Sequence, residues 1–402
     1  MYELLLRLSD RVEGYLTANG PSLSGSFFAL NPAFAVKRVL ADGVPILWHT
    51  ASGENGYQTI SFYAPDCKSL TVEYDGVLDG TTGRYPYVKE KTSDDFYILR
   101  SETLYYPVFA LPDSEAYLQS LLSPLERDKY RVTVEIAGAR RFQTNLRKTP
   151  DGIYEGHNPT IAVGDYRLEP CPFGTIAYFG MSREALAEVR RTAAYVQDFM
   201  SRYKLARIRD FQVIEIPAGL GSFVLPGTMF FSGEPKIRQL IHEFIHTNWN
   251  PRSSGSVQRS RFFDESVTEY FTAKILEYYG LQDTVTSRAA WEAQYCSAIT
   301  AYPEDEVAIA DYGPRELGRL AYSFGPLALF ALEEAVGEAE MTRAMSALLT
   351  QYQQEDVDFE KFRDLFPADA APVFREYFYS TAASRWLLAG DDRPLKRGNT
   401  PL

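Results

Sequence analysis

Residues 241–248 read IHEFIHTN, and they carry two of the four histidines in a chain of 402 residues. Pro235 suits the first turn of a helix opened by Ser232 or Gly233, and the pattern runs from there to about Trp249. At about 100° per residue, Ile237, Leu240, Ile241, Phe244 and Ile245 share one arc, while His242, Glu243 and His246 lie together on the opposite one. Ordinary core histidines would sit among the apolar positions, and a solvated face would mix them with Lys and Glu. An i, i+4 pair lets two imidazoles meet one ion, and the glutamate beside the first can reach a water on that ion, which is the logic of H-E-x-x-H. Alone, the motif leaves both a zinc site and a structural helix open.

A catalytic zinc takes three protein ligands and keeps one position open, so a third donor is required from elsewhere. Eighteen residues separate His246 from Glu265, which lies in RFFDESVTEYFTAKILEYYG, residues 261–280. Asp264 can cap a helix there, with Val267, Tyr270, Phe271 and Ile275 as its buried face and Gly280 as its stop. Glu265 then projects from the first turn. Glu269, one turn on, can accept the spare N–H of a ligating histidine and fix its orientation; the competing reading is a solvated helix carboxylate.

Further out, the chain reads as two kinds of sequence. LTVEYDG alternates Leu70, Val72 and Tyr74 with Thr71, Glu73 and Asp75, and RVTVEIAG alternates Val132, Val134 and Ile136 with Arg131, Thr133 and Glu135. Turn clusters DGTTG and TPDG punctuate residues 1–175, where the one helix-period segment is near DSEAYLQSLLSPLE, residues 113–126. A mostly antiparallel β domain follows. From Ser182, a candidate N-cap, Leu186, Val189, Ala193, Val196, Met200 and Tyr203 trace an amphipathic helix. The strand FQVIEIP and an extended segment, GSFVLPGTMFFSG, come next, and mostly helical sequence continues to about residue 390. The expected fold is therefore α+β and multidomain: a β-rich domain over 1–175, a mainly helical domain over 176–390 and a loose tail, 391–402.

Composition bounds the partners. Hydrophobic residues are 45% and charged residues 23%, ordinary globular values, so the length implies two or three domains. An aromatic share of 14% fits β-rich regions or deep clefts. The net charge of −12, with no run of Lys or Arg, argues against a nucleic-acid partner. Cys67, Cys171 and Cys296 are odd in number and lack C-x-x-C spacing, which argues against a disulfide framework or thiolate metal site and for buried thiols. MYELLLRLSDRVEGYL has too short an apolar run for a signal peptide, and no later segment reaches membrane-spanning length, so a soluble, cytoplasmic chain is expected.

H-E-x-x-H followed by eighteen residues and Glu resembles the M1 family of zinc metallopeptidases, the gluzincin aminopeptidases that include leukotriene A4 hydrolase. DESVTEYF is similar to that family's NEGFASYF type of segment. The family's Tyr in a Y-x-x-G context is matched by Tyr322 and Gly325 in LAYSFGPLALFALEEAVG. The resemblance implies a β-saddle domain before a thermolysin-like catalytic domain, a peptide substrate and one Zn2+ per chain on His242, His246 and Glu265. It also implies Glu243 as general base and Tyr322 as donor to the oxyanion. The alternative for Tyr322 is a core tyrosine, with Tyr312 as substitute. The large C-terminal helical domain of many members has no room in 402 residues.

One departure bears on specificity. Family aminopeptidases carry Gly-x-Met-Glu-Asn on an edge strand, whose Glu binds the substrate's α-amine. The nearest match is PGTMFF, where Gly227, Thr228 and Met229 align and Phe230 replaces that Glu. Backbone pairing with a peptide needs only N–H and C=O groups. Glu102, Glu215 and Glu234 are the acids that could replace the anchor, if they are not ordinary surface carboxylates. Three readings follow: an aminopeptidase, a zinc peptidase or related hydrolase needing no free amino terminus, and a non-catalytic binding scaffold. A site released from chemistry has no physical need for Glu243, which argues against the third.

Overall fold

Leu4, Leu6 and Leu8 alternate inward along the strand Tyr2–Leu8 while Glu3 and Arg7 face out, the period of a half-buried strand. This strand is the centre from which the N-terminal architecture grows. The computed structural model describes residues 2–20, 27–52, 57–77, 96–109, 129–138, 140–202, 210–247, 262–311, 318–352 and 357–390. The helix-period segment 113–126, Tyr203, Tyr312, the Glu102 side chain and the tail 391–402 lie outside the described residues. The chain divides into two compact units, Met1–Glu184 with Asp210–Glu234, and Ala185–Arg209 with Pro235–Leu402.

The first unit holds an eight-stranded sheet. Its spatial order is Arg147–Lys148, Tyr154–Gly156, Tyr130–Ile136, Tyr2–Leu8, Val12–Asn19, Ser69–Gly76, Phe34–Ala41 and Val44–Pro45. Leu70, Val72 and Tyr74 are buried, as their alternation predicts, and each fully buried aliphatic side chain contributes about 1.5–3 kcal/mol. The sheet is antiparallel except where Tyr2–Leu8 runs parallel to Tyr130–Ile136. Those segments are far apart in sequence, so no hairpin dictates their direction. Cys67, Cys171 and Cys296 are unpaired and half-buried, more exposed than expected.

A five-stranded sheet in the same unit runs Arg167–Cys171, Gly174–Tyr178, Phe211–Ile216, Thr228–Ser232 and Phe223–Leu225, with the middle three parallel. The single extended segment expected over 221–233 is thus two strands, with Leu225 facing Thr228 across a Pro226-Gly227 turn. This corrects the expected placement of Gly227, Thr228 and Met229 on an edge strand. Thr228–Ser232 is paired on one side with Phe211–Ile216 and on the other with Phe223–Leu225, and the Gly227 carbonyl accepts the Gln212 N–H at 2.9 Å. Its backbone groups are used on both sides, so it is no edge for a peptide to join. Among the described residues, the edges are Arg167–Cys171 and Phe223–Leu225. Glu215 is buried, and its carboxylate accepts the backbone N–H groups of Phe179, Gly180 and Met181 at 2.7, 2.9 and 3.2 Å. It holds a turn and is not a surface acid, whereas Glu234 is exposed.

The second unit is helical. Helix α1, Arg183–Ser201, buries Leu186, Val189, Ala193, Val196 and Met200, the expected stripe. Helix α2 is Ile237–Ile245 and α3 is Val267–Tyr278, preceded by a π-helical turn, Phe262–Ser266. Helix α4 is Thr284–Ala301, where Asp283 caps the Thr286 N–H at 2.6 Å. Helices α5, Phe324–Val336, and α6, Glu338–Tyr352, follow. Helix α3 stops at Gly280 as predicted, in a left-handed conformation with φ of 64°. There Gly280 N–H bonds the Glu277 carbonyl at 2.9 Å and Leu281 N–H the Leu276 carbonyl at 2.8 Å, the Schellman arrangement. No helix among the described residues is long and apolar enough to cross a membrane.

Candidate metal centre

Helix α2 separates its residues as the sequence pattern requires. Leu240, Ile241, Phe244 and Ile245 are fully buried, and the opposite arc carries His242, Glu243 and His246. The helix is shorter than expected: Lys236 is its N-cap, so Pro235 precedes the first turn, and the last helical residue is Ile245. His246 nonetheless keeps right-handed helical geometry, with φ of −58° and ψ of −16°, so the i, i+4 alignment with His242 survives.

The third donor comes from the π-turn. All five residues of Phe262–Ser266 are buried, and the Phe262 ring is planted against Phe359, Phe362 and Phe378. Asp264, expected as an N-cap, lies inside this turn, because the widened turn begins two residues before it. Asp264 and Glu265 both face the histidines.

Three donor atoms converge. His242 Nε2 and His246 Nε2 are 3.1 Å apart, and each is 3.3 Å from Glu265 Oε2. A tetrahedral zinc about 2.0–2.1 Å from each donor would need donors about 3.3–3.4 Å apart. The triangle therefore fits zinc in donor type, in size and in leaving a fourth face.

The outer nitrogens of both rings meet carboxylates. His242 Nδ1 is 2.9 Å from Glu269 Oε1, and His246 Nδ1 is 2.7 Å from Asp264 Oδ1 and 3.3 Å from Thr268 Oγ1. Glu269 is buried, so it is not a solvated carboxylate; its other oxygen accepts from the Trp291 indole N–H at 3.1 Å and from Arg238. The orienting contact of Asp264 and the support from Arg238 and Trp291 were not read from sequence. Arg238 had a signal, lying four residues before His242 on the same helix face, and Asp264 adjoins Glu265. Trp291 comes from α4 and had none.

The electrostatics are those of a cation site. Burial opposes charge on His242, yet hydrogen bonds to Glu265 and Glu269 outweigh it and hold its pKa up at about 9. Burial is likewise outweighed at His246, which Asp264 and Glu265 push well upward. Burial would raise the Glu265 carboxyl, but the two imidazoles hold it well below the usual range. Burial holds the Glu243 carboxyl above its ordinary value. A buried cluster this rich in carboxylates takes up protons on its histidines when metal-free, and a dication replaces those protons.

The Tyr322 ring stacks beside His242, with centroids 5.9 Å apart and planes at 23°, and is half-buried. Gly325, at the start of α5, explains the small residue three positions on. A Cβ there would lie 1.9 Å from Ser266 Oγ and 2.5 Å from Ser266 Cβ, so only glycine lets α5 approach the turn that carries Glu265.

No protein-family model matches the sequence. No curated protein matches it. Solved structures do match. The M1 zinc metallopeptidase from Deinococcus radiodurans is 16% identical, with 100% of this chain and 95% of that chain covered and a TM-score of 0.65. A mutant of that enzyme bound to a Tyr-Ser-Ala substrate is 15% identical, covering 94% and 92%, with a TM-score of 0.63. Yeast LTA4 hydrolase in complex with bestatin is 14% identical, covering 94% of this chain and 67% of that chain, with a TM-score of 0.65. At these identities the likeness is one of fold: the chain folds as M1 zinc metallopeptidases do.

Proposed function

We propose that this protein is a zinc-dependent peptidase of the M1 type, most directly an aminopeptidase, that cleaves peptide bonds with a metal-activated water. The observation that carries the reading is the 3.1–3.3 Å triangle of His242, His246 and Glu265, with Glu243 on the same helix face and Tyr322 alongside. Zinc held by these donors would act as a Lewis acid with one open position, acidifying a water and polarising a carbonyl.

The chain's own residues supply the rest. Glu243 takes a proton from the attacking water and hands it to the leaving amine; its raised pKa, from burial, suits a group that must both accept and release. Tyr322 donates its O–H to the carbonyl oxygen as negative charge grows there. Glu269, held by Arg238 and Trp291, keeps the His242 ring turned so that Nε2 faces the centre.

A second reading, a peptidase that needs no free amino terminus, is favoured by one observation. Phe230, fully buried in Thr228–Ser232, stands where the amine-binding Glu of family aminopeptidases is expected, so that position offers no carboxylate for an α-amine. Glu215 is committed to its turn. Matched peptides with a free or an acetylated amino terminus separate the two readings, each assayed before chelation, after it and after zinc is restored. Turnover that chelation abolishes and zinc restores supports the peptidase. Equal turnover of both peptides rules out the aminopeptidase in favour of the second reading, and hydrolysis indifferent to chelation contradicts both.

A further inference from the structure

We propose that this chain pairs with a second copy of itself through the strand Trp48–Ser52, the two strands running antiparallel about a two-fold axis at Thr50. The surface lies wholly in the first unit and uses no residue of the metal centre.

A three-stranded sheet of that unit runs Phe27–Leu30, Gln58–Phe62 and Trp48–Ser52. Its first edge is closed off, because Ala29 and Val108 exchange backbone hydrogen bonds of 2.9 and 3.0 Å. Trp48–Ser52 is the opposite edge. Among the described residues it pairs only with Gln58–Phe62, in an unbroken antiparallel register, and all five of its residues are exposed. Such an edge presents a row of N–H and C=O groups to any chain that can extend beside it.

Natural proteins guard exposed edges with charge, proline, a bulge or cover. The other edges among the described residues follow that rule. Arg147–Lys148, Arg141–Thr144 and Arg167–Cys171 each carry Arg, Val44–Pro45 carries a proline, Phe223–Leu225 is half-buried and Tyr97–Leu99 is buried. The sequence of the Trp48–Ser52 edge, WHTAS, has none of these devices.

The surroundings select the occupant. Between Asp42 and Asp66, Glu54 is the only Asp, Glu, Lys or Arg, in a chain that is 23% charged. A partner of different sequence is selected by complementary charge, and this surface carries almost none. A two-fold contact sets a surface against itself, so it requires a patch without like charges to oppose. Full overlap of the strand with its own copy puts Thr50 opposite Thr50, His49 opposite Ala51 and Trp48 opposite Ser52, and joins two three-stranded sheets into one of six. A stable interface buries about 1,000 Å² or more, beyond what a five-residue strand pair supplies, and apolar side chains stand ready to add the rest. Leu47 and Tyr63, next after the paired Trp48 and Phe62, are 92% and 82% exposed, and Val44 is 63% exposed.

Sedimentation velocity of the full chain over about 1–200 µM, in about 0.15 M salt to screen the net charge of −12, reads the association. A reversible dimer with a dissociation constant on the order of 10 µM is expected. Thr50 is exposed, so Thr50→Lys and Thr50→Glu should keep the fold, which far-UV circular dichroism checks. Each alone opposes like charges at the axis and should weaken the dimer by at least about 10-fold. Mixed in equal amounts, they set Lys against Glu and should restore it. Leu47→Asp, outside the strand, should weaken the dimer without touching the backbone pairing. A wild-type chain that stays monomeric overturns the proposal and leaves the edge to a strand from another protein. A dimer that both Thr50 variants retain overturns it, as does a mixture no tighter than either variant alone. If neither Thr50 variant folds, Leu47→Asp decides, and a dimer it leaves intact overturns the proposal.

Discussion

Glu265 is the residue on which the site turns. Two histidines one helical turn apart are consistent with a plain helix; a buried carboxylate 3.3 Å from both Nε2 atoms makes a three-donor centre. That His242, His246 and Glu265 come together was legible because spacing is a sequence property. The partner of His246 was not, because Asp264 reads equally as a helix cap, and only the π-turn shows where its side chain goes. Two predictions belong at this scale. Tyr322→Phe should lower kcat by about 10²–10³-fold, the range for one oxyanion donor, and leave KM little changed, in steady-state peptide hydrolysis. The second concerns pH. His242 is raised from 6.5 to about 9 in the folded chain, so in metal-free protein its contribution to stability is complete below 6.5 and disappears as pH rises through 9. Glu269 is lowered from 4.5 and contributes above that value, so it does not change across this range. Thermal melts of chelator-treated protein should therefore fall in Tm between pH 6.5 and 9, whereas zinc-loaded protein should change less; a metal-free Tm that rises over that interval contradicts the assignment.

Among elements, the approach of α5 to the ligand-bearing turn carries the geometry. Ser266 follows Glu265, is fully buried and donates its hydroxyl to the Ala321 carbonyl at 2.8 Å, and Gly325 leaves the space that Ser266 fills. Gly325→Ala should destabilise the protein by about 1–3 kcal/mol through overpacking and weaken zinc binding by shifting Glu265. Urea denaturation with an unchanged m-value, together with chelator competition, checks both effects; unchanged zinc affinity in a destabilised variant would separate the packing from the site. Element types were largely readable from periodicity, as at Ser69–Gly76 and α1. The π-turn was not, because one widened turn has no period of its own. The hairpin in residues 221–233 had a signal in the exposed Pro226-Gly227 dipeptide, set in an apolar run that shows no alternation to separate its two strands.

At the scale of the whole molecule, an α+β chain with a β-rich beginning and a helical continuation followed from where alternation gave way to helical spacing. What did not follow was strand pairing across long separations: Tyr2–Leu8 lies parallel to Tyr130–Ile136, and nothing local to either segment encodes the other. The order of the five-stranded sheet did not follow either: it makes Thr228–Ser232 an interior strand and leaves Arg167–Cys171 and Phe223–Leu225 at the two edges. The proposed chemistry is peptide hydrolysis with a zinc-activated water and Glu243 as base. The direct measurement is zinc content and peptide turnover of the wild type and Glu243→Gln, both purified without chelator. About one zinc per chain is expected in each, with turnover lower by at least about 100-fold in the variant. Protein that holds no zinc and gains no activity when zinc is supplied, or a zinc-loaded variant as active as the wild type, would contradict it.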